Sequence, residues 1–143
     1  MDPVDEAPRW PTKIAVLLRE DLLPWQALNV TAFLVSGIAA TGPELVGEPY
    51  EDADGTGYLP MLRQPVLVLA GAAELLSTAR TRALDRGLRP AVFTADLFAT
   101  PGDVQNRAAV RAVAGAKLDL VGLAVHGPRN AVDKVMKGAR MHL

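Results

Sequence analysis

The pattern of apolar and polar positions divides the chain into short apolar runs separated by helical stretches. Lys13–Arg19 contains five successive apolar residues and ends at the charged triplet Arg19-Glu20-Asp21. An uninterrupted apolar run of this length is typical of a strand that is buried on both faces. From Leu22 to Pro43 there is no charged residue. A helix from about Pro24 to Ser36 would be apolar nearly all round, which predicts an almost wholly buried helix.

Strands and helices alternate along the rest of the chain. Further apolar runs predict strands at Pro65–Ala70, Pro90–Thr94 and Leu118–Val125, and helical periodicity predicts helices at about Ala72–Arg86, Val104–Val113 and Asn130–Lys137. Arg140–Leu143 is a candidate edge strand. Buried strands that alternate with helices predict an α/β protein with a layered sheet, mostly parallel or mixed.

Turn residues are concentrated in residues 42–65. Asp54-Gly55, between Tyr50 and Tyr58, is a strong turn signal and predicts a hairpin-like excursion or an ordered loop.

The first residues are acidic and rich in proline, which opposes regular structure. We therefore expect a flexible N-terminal arm, residues 1–12, followed by a single α/β domain, residues 13–143.

Composition narrows the classes of function. A chain of 143 residues fits one domain, and 22% charged residues with a net charge of −1 argue against a general polyanion binder, so no DNA partner is expected. The absence of cysteine excludes disulfides, thiol catalysis and cysteine-ligated metal, and it is compatible with the cytoplasm. No positive start followed by an apolar run marks a signal peptide, so we expect a cytoplasmic protein.

The uncharged stretch from Leu22 to Pro43 is long enough to cross a membrane. Pro24, Gln26 and Asn29 interrupt it, and no Lys or Arg flanks its far end. We therefore interpret it as a buried helix and expect no membrane partner.

Strong catalytic and cofactor motifs are missing. The chain has no phosphate-binding loop, no dinucleotide fingerprint, no nucleophile elbow and no zinc-protease helix motif. Its two histidines, His126 and His142, do not have the spacing of metal ligands. Neither a cofactor nor a metal is expected.

Polar residues near the end of the first strand are the first candidates for a site. Asp21 lies where α/β sheets place ligand groups, beyond the carboxyl end of a strand, but it is equally suited to pair with Arg19. Gln26 and Asn29 share one side of the first helix beside Trp25. Their amides either contact a ligand or form hydrogen bonds within the fold.

A second group of candidates follows the later strands. Asp96 and Thr100 come after the third strand, where a carboxylate and a hydroxyl can polarise water or bind an ester carbonyl, or simply brace the turn. His126 lies at the end of the predicted fourth strand. Three roles are open for it there, namely an acid/base, a hydrogen-bond donor or a cap of the following loop. Asn106-Arg107 either binds an anion or stays solvated, and we favour the solvated interpretation.

Several segments carry a resemblance to a known family. They are K-I-A-V-L-L-R-E-D-L, W-Q-A-L-N-V, Y-L-P-M-L-R-Q-P-V-L-V-L, D-L-F-A-T and V-D-K-V-M-K-G. With these segments the chain resembles the uncharacterised bacterial domain-of-unknown-function family number two thousand, from Lys13 to His142. That family is similar in fold to peptidyl-tRNA hydrolase of type II.

Motifs of the type II hydrolase are matched in part. The matching positions are Arg19-Glu20-Asp21-Leu22, Gln64-Pro65, Gly87-Leu88, Asp96 with Thr100, Gly127-Pro128 and Val132-Asp133-Lys134-Val135. The resemblance implies a mixed four-stranded sheet with helices on both faces, and often a dimer. The hydrolase's catalytic lysine at the start of the first helix has no counterpart, because Trp25-Gln26-Ala27-Leu28-Asn29 occupies that region.

Two main hypotheses follow. The first is an enzyme of this fold that acts on an acyl or aminoacyl ester or amide bond, with a small molecule or an aminoacyl- or peptidyl-tRNA-like ligand as substrate. Its predicted catalytic residues are Asp96, Thr100 and His126, and its predicted ligand-binding residues are Arg19, Asp21, Gln26, Asn29 and Lys134, around one cleft. The alternative is a non-catalytic small-ligand or partner-binding module. Homodimerisation is expected, and a dimer joined through Tyr58–Met61 is a third hypothesis.

Overall fold

The structure, a computed structural model, describes residues 10–143. The predicted flexible arm therefore lies mostly outside the described residues. The strands are β1 Thr12–Arg19, β2 Tyr50–Glu51, β3 Gly57–Tyr58, β4 Val66–Gly71, β5 Ala91–Thr94, β6 Leu120–Pro128 and β7 Arg140–Met141. The α-helices are α1 Pro24–Thr41, α2 Ala73–Asp85, α3 Asp103–Arg111 and α4 Arg129–Val135. Short 3₁₀ helices occupy Pro43–Leu45, Ala95–Ala99 and Gly115–Lys117.

The main sheet has five strands in the order β5-β6-β1-β4-β7. β1 and β4 are parallel, β6 is antiparallel to both β1 and β5, and β7 is antiparallel to β4. The predicted mixed α/β sheet is thus confirmed, but the four-stranded sheet that the resemblance implies is wrong, because the sheet has a fifth strand. This strand confirms the candidate edge strand at the C-terminus, in which Arg140 and Met141 pair with the end of β4.

β1 lies at the centre of the sheet, and both of its faces are covered. Side chains alternate between the faces, so Ile14, Val16 and Leu18 pack in the same core cluster as α1. Ala15 and Leu17 pack on the opposite face with α2 and α4. All five side chains are buried, which confirms the predicted buried strand.

Only one side of α1 is buried. Ala27, Val30, Leu34 and Ile38 face the sheet at helical spacing. On the other side, 74% of Leu28 and 58% of Trp25 are exposed. The prediction of a helix buried nearly all round is therefore wrong, because the sheet covers one side of α1 and no element covers Leu28. The helix also continues past Gly37 to Thr41.

α1 approaches β6 closely at Gly122. Here β6 has a bulge, since Phe93 pairs with Gly122 and Thr94 pairs with Leu120, which leaves Val121 without a partner in β5. A Cβ atom on Gly122 would lie 2.4 Å from Cγ1 of Val30. The absence of a side chain at this position lets the helix sit directly on the sheet.

The predicted hairpin around Asp54-Gly55 is confirmed as β2 and β3, with Gly55 at a φ of 84°. Asp52 organises its turn, because one carboxylate oxygen accepts hydrogen bonds from the backbone N–H groups of Asp54 and Thr56 at 2.9 and 3.1 Å. The Tyr58 hydroxyl donates to the other oxygen at 2.6 Å. This last hydrogen bond is the main reason why the pKa of Asp52 is lowered and the pKa of Tyr58 is raised.

Candidate functional site

Three strands end at the same edge of the sheet. β4 is parallel to β1, and β5 runs in the same direction because both β1 and β5 are antiparallel to β6. The segments Arg19–Asp21 and Ala95–Thr100 therefore both emerge at this carboxyl edge. Open α/β sheets bind ligands beyond the carboxyl ends of their strands, so this edge is where a site is expected.

Arg19 is held by carboxylates at this edge. Its Nε donates to Asp21 at 2.6 Å, and its Nη1 donates to Asp119 at 3.0 Å. The alternative in which Asp21 pairs with Arg19 is the arrangement that forms. A guanidinium that already faces two carboxylates is a poor anion-binding group. Arg19 therefore acts first as a brace that joins β1 to the start of β6 through Asp119, and Asp21 pairs with the same guanidinium.

The start of α1 lies beside this brace. The side-chain oxygen of Gln26 accepts a hydrogen bond from the backbone N–H of Leu23 at 3.0 Å, so this amide caps the helix. Asn29 is exposed one turn later. The Trp25 ring makes an edge contact with Phe98, with 5.8 Å between centroids, which joins α1 to the segment after β5.

Asp96 and Thr100 occupy this segment after β5 but differ in environment. Asp96 is exposed on the 3₁₀ helix. The Thr100 hydroxyl donates to the Leu97 carbonyl at 3.1 Å and is also hydrogen bonded to the side chain of Asn106. Thr100 therefore braces the turn and ties it to the first turns of α3, whereas the Asp96 carboxylate stays accessible.

His126 and Lys134 are not part of this edge. His126 lies inside β6, opposite Ile14 near the start of β1, and its Nε2 is 3.0 Å from the hydroxyl of Thr12. Six positions separate it from Leu120, which pairs with Thr94, and at about 3.3 Å per residue this is a distance of about 20 Å. Lys134 is exposed on α4, which packs on the opposite face of the sheet from α1. The expected single cleft shared by Asp96, His126 and Lys134 is therefore wrong.

A cavity of about 510 Å³ lies between α1 and α3, over β5. We call it the α1–α3 cavity. Its walls are mainly apolar, and its polar groups all come from α3. It is lined by Phe33, Leu34, Ala91, Val92, Phe93, Leu97, Asp103, Asn106, Arg107, Val110 and Arg111. Phe33 and Phe93 meet edge to face, with 5.9 Å between centroids, and form the aromatic part of the wall.

The polar end of the cavity contains two arginines one helical turn apart. Arg107 pairs with Asp103 four residues earlier. Arg111 makes no ion pair within residues 10–143. The arrangement combines a hydrophobic space of ligand size with a cationic group at its rim, which suits a small molecule with an apolar body and a negative charge.

Most of this cavity was not predicted from the sequence. Asn106-Arg107 was a candidate with a solvated role favoured, and neither Arg111 nor Phe33 was a candidate site residue. One signal was available, because Asn106 with Val110 and Arg107 with Arg111 are both four residues apart and so share a mixed polar and apolar side of α3. The contribution of Phe33 and Phe93 depends on packing between distant parts of the chain.

The residues that the structure describes contain no group of three or more His, Asp or Glu side chains that could hold a metal ion. Within the same range, no helix has the length and apolar character needed to cross a bilayer.

The fold and its cavity define a mixed α/β protein with a five-stranded sheet and a ligand-sized hollow over its edge strand β5. More particularly, the chain belongs to the family described as protein of unknown function, DUF2000, which it matches over residues 12–143. It is also similar to the solved structure of a protein of unknown function, Atu0240 from Agrobacterium tumefaciens strain C58. That similarity has a TM-score of 0.92 and 42% identity, and it covers 94% of this chain and all of the other. No curated protein matches the chain.

Proposed function

We propose that this protein binds a small ligand with an apolar, ring-sized body and an anionic group in the α1–α3 cavity. The observation that carries the proposal is the combination of aromatic walls with the Arg111 guanidinium at the rim. A cavity of about 510 Å³ is within the range of small-molecule sites. Asn106, which is fixed by Thr100, adds an oriented amide next to the arginines.

The two ends of such a ligand have separate partners. The apolar body displaces water from the surfaces of Phe33, Phe93 and Val110, which supplies most of the affinity. The anionic group lies near Arg111, where a charge-assisted hydrogen bond adds affinity and fixes the orientation. The Asp103 carboxylate, paired with Arg107, disfavours a second negative charge at that side of the rim.

We expect anilinonaphthalene sulfonate, an apolar aromatic probe with one negative charge, to bind the native protein at a saturable site. Arg111→Gln should weaken this binding about fivefold to tenfold, because the sulfonate loses its cation. Uncharged phenylnaphthylamine should bind wild type and variant alike. Fluorescence titration of the folded protein measures both affinities.

Arg89→Gln is the matched control, since Arg89 is an exposed arginine that does not line the α1–α3 cavity. It should leave the affinity for the sulfonate unchanged. Phe33→Ala should weaken both probes. Equal effects of Arg111→Gln and Arg89→Gln, or an effect of Arg111→Gln on the uncharged probe, would contradict the proposed orientation.

We propose a second candidate function, hydrolysis of an acyl or aminoacyl ester, on the strength of the exposed Asp96 carboxylate at the carboxyl edge. It goes together with a proposed relationship in fold to peptidyl-tRNA hydrolase of type II, based on the partial motif matches at Arg19–Leu22, Gln64-Pro65 and Asp96 with Thr100. The substrate would be an aminoacyl- or peptidyl-tRNA-like ester.

In this candidate reaction, Asp96 accepts a proton from water as the water attacks the ester carbonyl. The carbon–oxygen bond to the alcohol then breaks, and the alcohol leaves with a proton. Asn29, exposed one turn after Trp25, is the amide proposed to donate a hydrogen bond to the carbonyl oxygen. Gln26 and Thr100 act indirectly, because both already make hydrogen bonds within the fold.

If the second candidate is correct, purified protein should release amino acid or peptide from aminoacyl- or peptidyl-tRNA. Asp96→Asn should lower kcat/KM about a hundredfold, since the amide cannot accept the proton. Asp85→Asn, at an exposed position of α2, is the control and should retain full activity. Intact esters after prolonged incubation, or equal activity of Asp96→Asn and wild type, would exclude this function and leave ligand binding unaffected.

Homodimerisation and a cytoplasmic location remain predictions from the sequence.

A further inference from the structure

The α1–α3 cavity opens onto the free edge of the main sheet. β5 is the last strand on its side, and among residues 10–143 it pairs with β6 alone. Three successive residues of β5, Ala91, Val92 and Phe93, line the cavity, although successive side chains point to opposite faces of a sheet. Phe93 belongs to the core cluster on the α1 face, whereas Val92 packs against the cluster on the opposite face. A hollow that touches both kinds of side chain therefore faces the backbone edge of β5.

Val92 presents its backbone groups at this edge. Along a strand, the N–H and C=O groups of one residue point to one side, and those of the next residue point to the other. The N–H of Ala95 donates to the Asp119 carbonyl, which precedes β6, at 2.9 Å, so it points toward β6. Counting back, Phe93 also points toward β6 and Val92 points away from it. Within residues 10–143, no backbone hydrogen bond outside the pairing of β5 with β6 reaches Val92.

We propose that the α1–α3 cavity takes the C-terminal residue of a peptide chain, which adds to the outer edge of β5 as a further strand. The inference rests on the proposed function, because it assigns the same cavity and names the class of ligand. The apolar body is the last side chain of the peptide, and the anionic group is its terminal carboxylate near Arg111. The peptide backbone pairs with the N–H and C=O groups of Val92.

The backbone of Val92 favours a peptide over a free aromatic acid. Water can bond to its N–H and C=O groups until a ligand displaces it. An aromatic acid that fills the cavity removes this water and leaves both groups without a partner, which is unfavourable. A peptide supplies a donor and an acceptor at the spacing of a strand. β5 has only four residues, so the pairing is short and suits the last few residues of a chain.

The charges favour the end of a peptide over an internal segment. Arg107 is already paired with Asp103, whereas Arg111 makes no ion pair within residues 10–143. One available guanidinium matches the single negative charge of a terminal carboxylate. An internal segment with apolar side chains carries no charge for Arg111.

Calorimetric titration of the full chain with a synthetic peptide tests the proposal. The probe is an acetylated tetrapeptide of three alanines and a C-terminal phenylalanine, with a free carboxylate. It should bind at a saturable site, and its C-terminal amide should bind at least about tenfold more weakly, because the charge-assisted hydrogen bond is lost. Equal binding of the acid and the amide would show that the terminal carboxylate is not recognised, and would overturn the proposal.

Ester substitution in the peptide tests the strand pairing without any change to the protein. Two analogues each have an ester in place of one of two successive amides. Because successive N–H groups point to opposite sides, only one ester removes a donor to β5. That analogue should bind about tenfold more weakly, whereas the other should stay within about twofold of the parent peptide. Equal effects of the two esters would overturn the strand addition.

Amide hydrogen exchange followed by NMR reads the same pairing from the protein. The peptide should slow exchange at the N–H of Val92 at least about tenfold, because this group gains a hydrogen bond. Phe93 is the matched control, since its N–H already points toward β6 and should exchange slowly with and without the peptide. Unchanged exchange at Val92 under saturating peptide would contradict the proposal.

The outcome for anilinonaphthalene sulfonate separates this inference from the proposed function. If the sulfonate binds and the peptide does not, the peptide inference is wrong and the small-ligand site stands. If neither binds, both are wrong.

Discussion

Replacing Gly122 with valine is expected to lower the free energy of unfolding by about 3 kcal/mol, at the upper end of the usual cost of overpacking a core. An atom at the Cβ position would lie 2.4 Å from Cγ1 of Val30 and 3.0 Å from Cδ1 of Leu34. Both contacts are with buried side chains on the sheet-facing side of α1, so the helix must move as a unit to relieve them. Gly122 does not have a positive φ, so the cost is steric rather than a backbone penalty.

A double-mutant cycle identifies this steric origin. Val30→Ala alone should destabilise the protein by about 2 kcal/mol, because it removes buried methyl groups. In the presence of Gly122→Val the same change removes the clash, so the pair should be more stable than additivity predicts by at least about 1 kcal/mol. Urea unfolding followed by circular dichroism at one protein concentration measures all four variants. Strict additivity would show that α1 does not rest on Gly122.

The comparison of β1 with α1 shows which features of burial can be predicted from the hydrophobic pattern and which cannot. Five successive apolar residues in a strand place side chains on both faces, and such a strand is stable only where both faces are covered, so the burial of Ile14–Leu18 could be predicted. The same logic fails for α1. An apolar helix can be buried all round only if other elements surround it, and the number and position of those elements are not local properties of its sequence.

The candidate site shows a similar limit. The position of Asp96 after a strand and of Asp21 near Arg19 could be predicted, because each depends on a short segment. The location of His126 could not, since it depends on the direction of β6. In an antiparallel strand the last residues lie at the edge where β1 begins, so a residue near the end of β6 is far from the carboxyl edge.

The α1–α3 cavity and a second hollow, which lies between α1 and β4, depend on the same packing geometry. α1 lies over β5, β6 and β1, which leaves one hollow on the side of α3 and another on the side of β4. The uncharged helix α1 borders both hollows, but only the first has arginines at its rim. These arginines are the basis for assigning a small anionic ligand to the α1–α3 cavity.

Replacing Leu17 with alanine should lower the free energy of unfolding by about 3 to 4 kcal/mol, which is more than the expected effect of Val30→Ala. Leu17 is 0% exposed, pairs with Leu123 in β6, and lies in the core cluster beneath α2 and α4. Because β1 is hydrogen bonded to a strand on each side, this part of the core has little freedom to collapse around the lost volume. Leu84→Ala, at a leucine that is 47% exposed on α2, should change stability by no more than about 0.5 kcal/mol. Urea unfolding of the two variants separates burial from residue type, and similar midpoints would contradict the placement of β1 at the centre of the sheet.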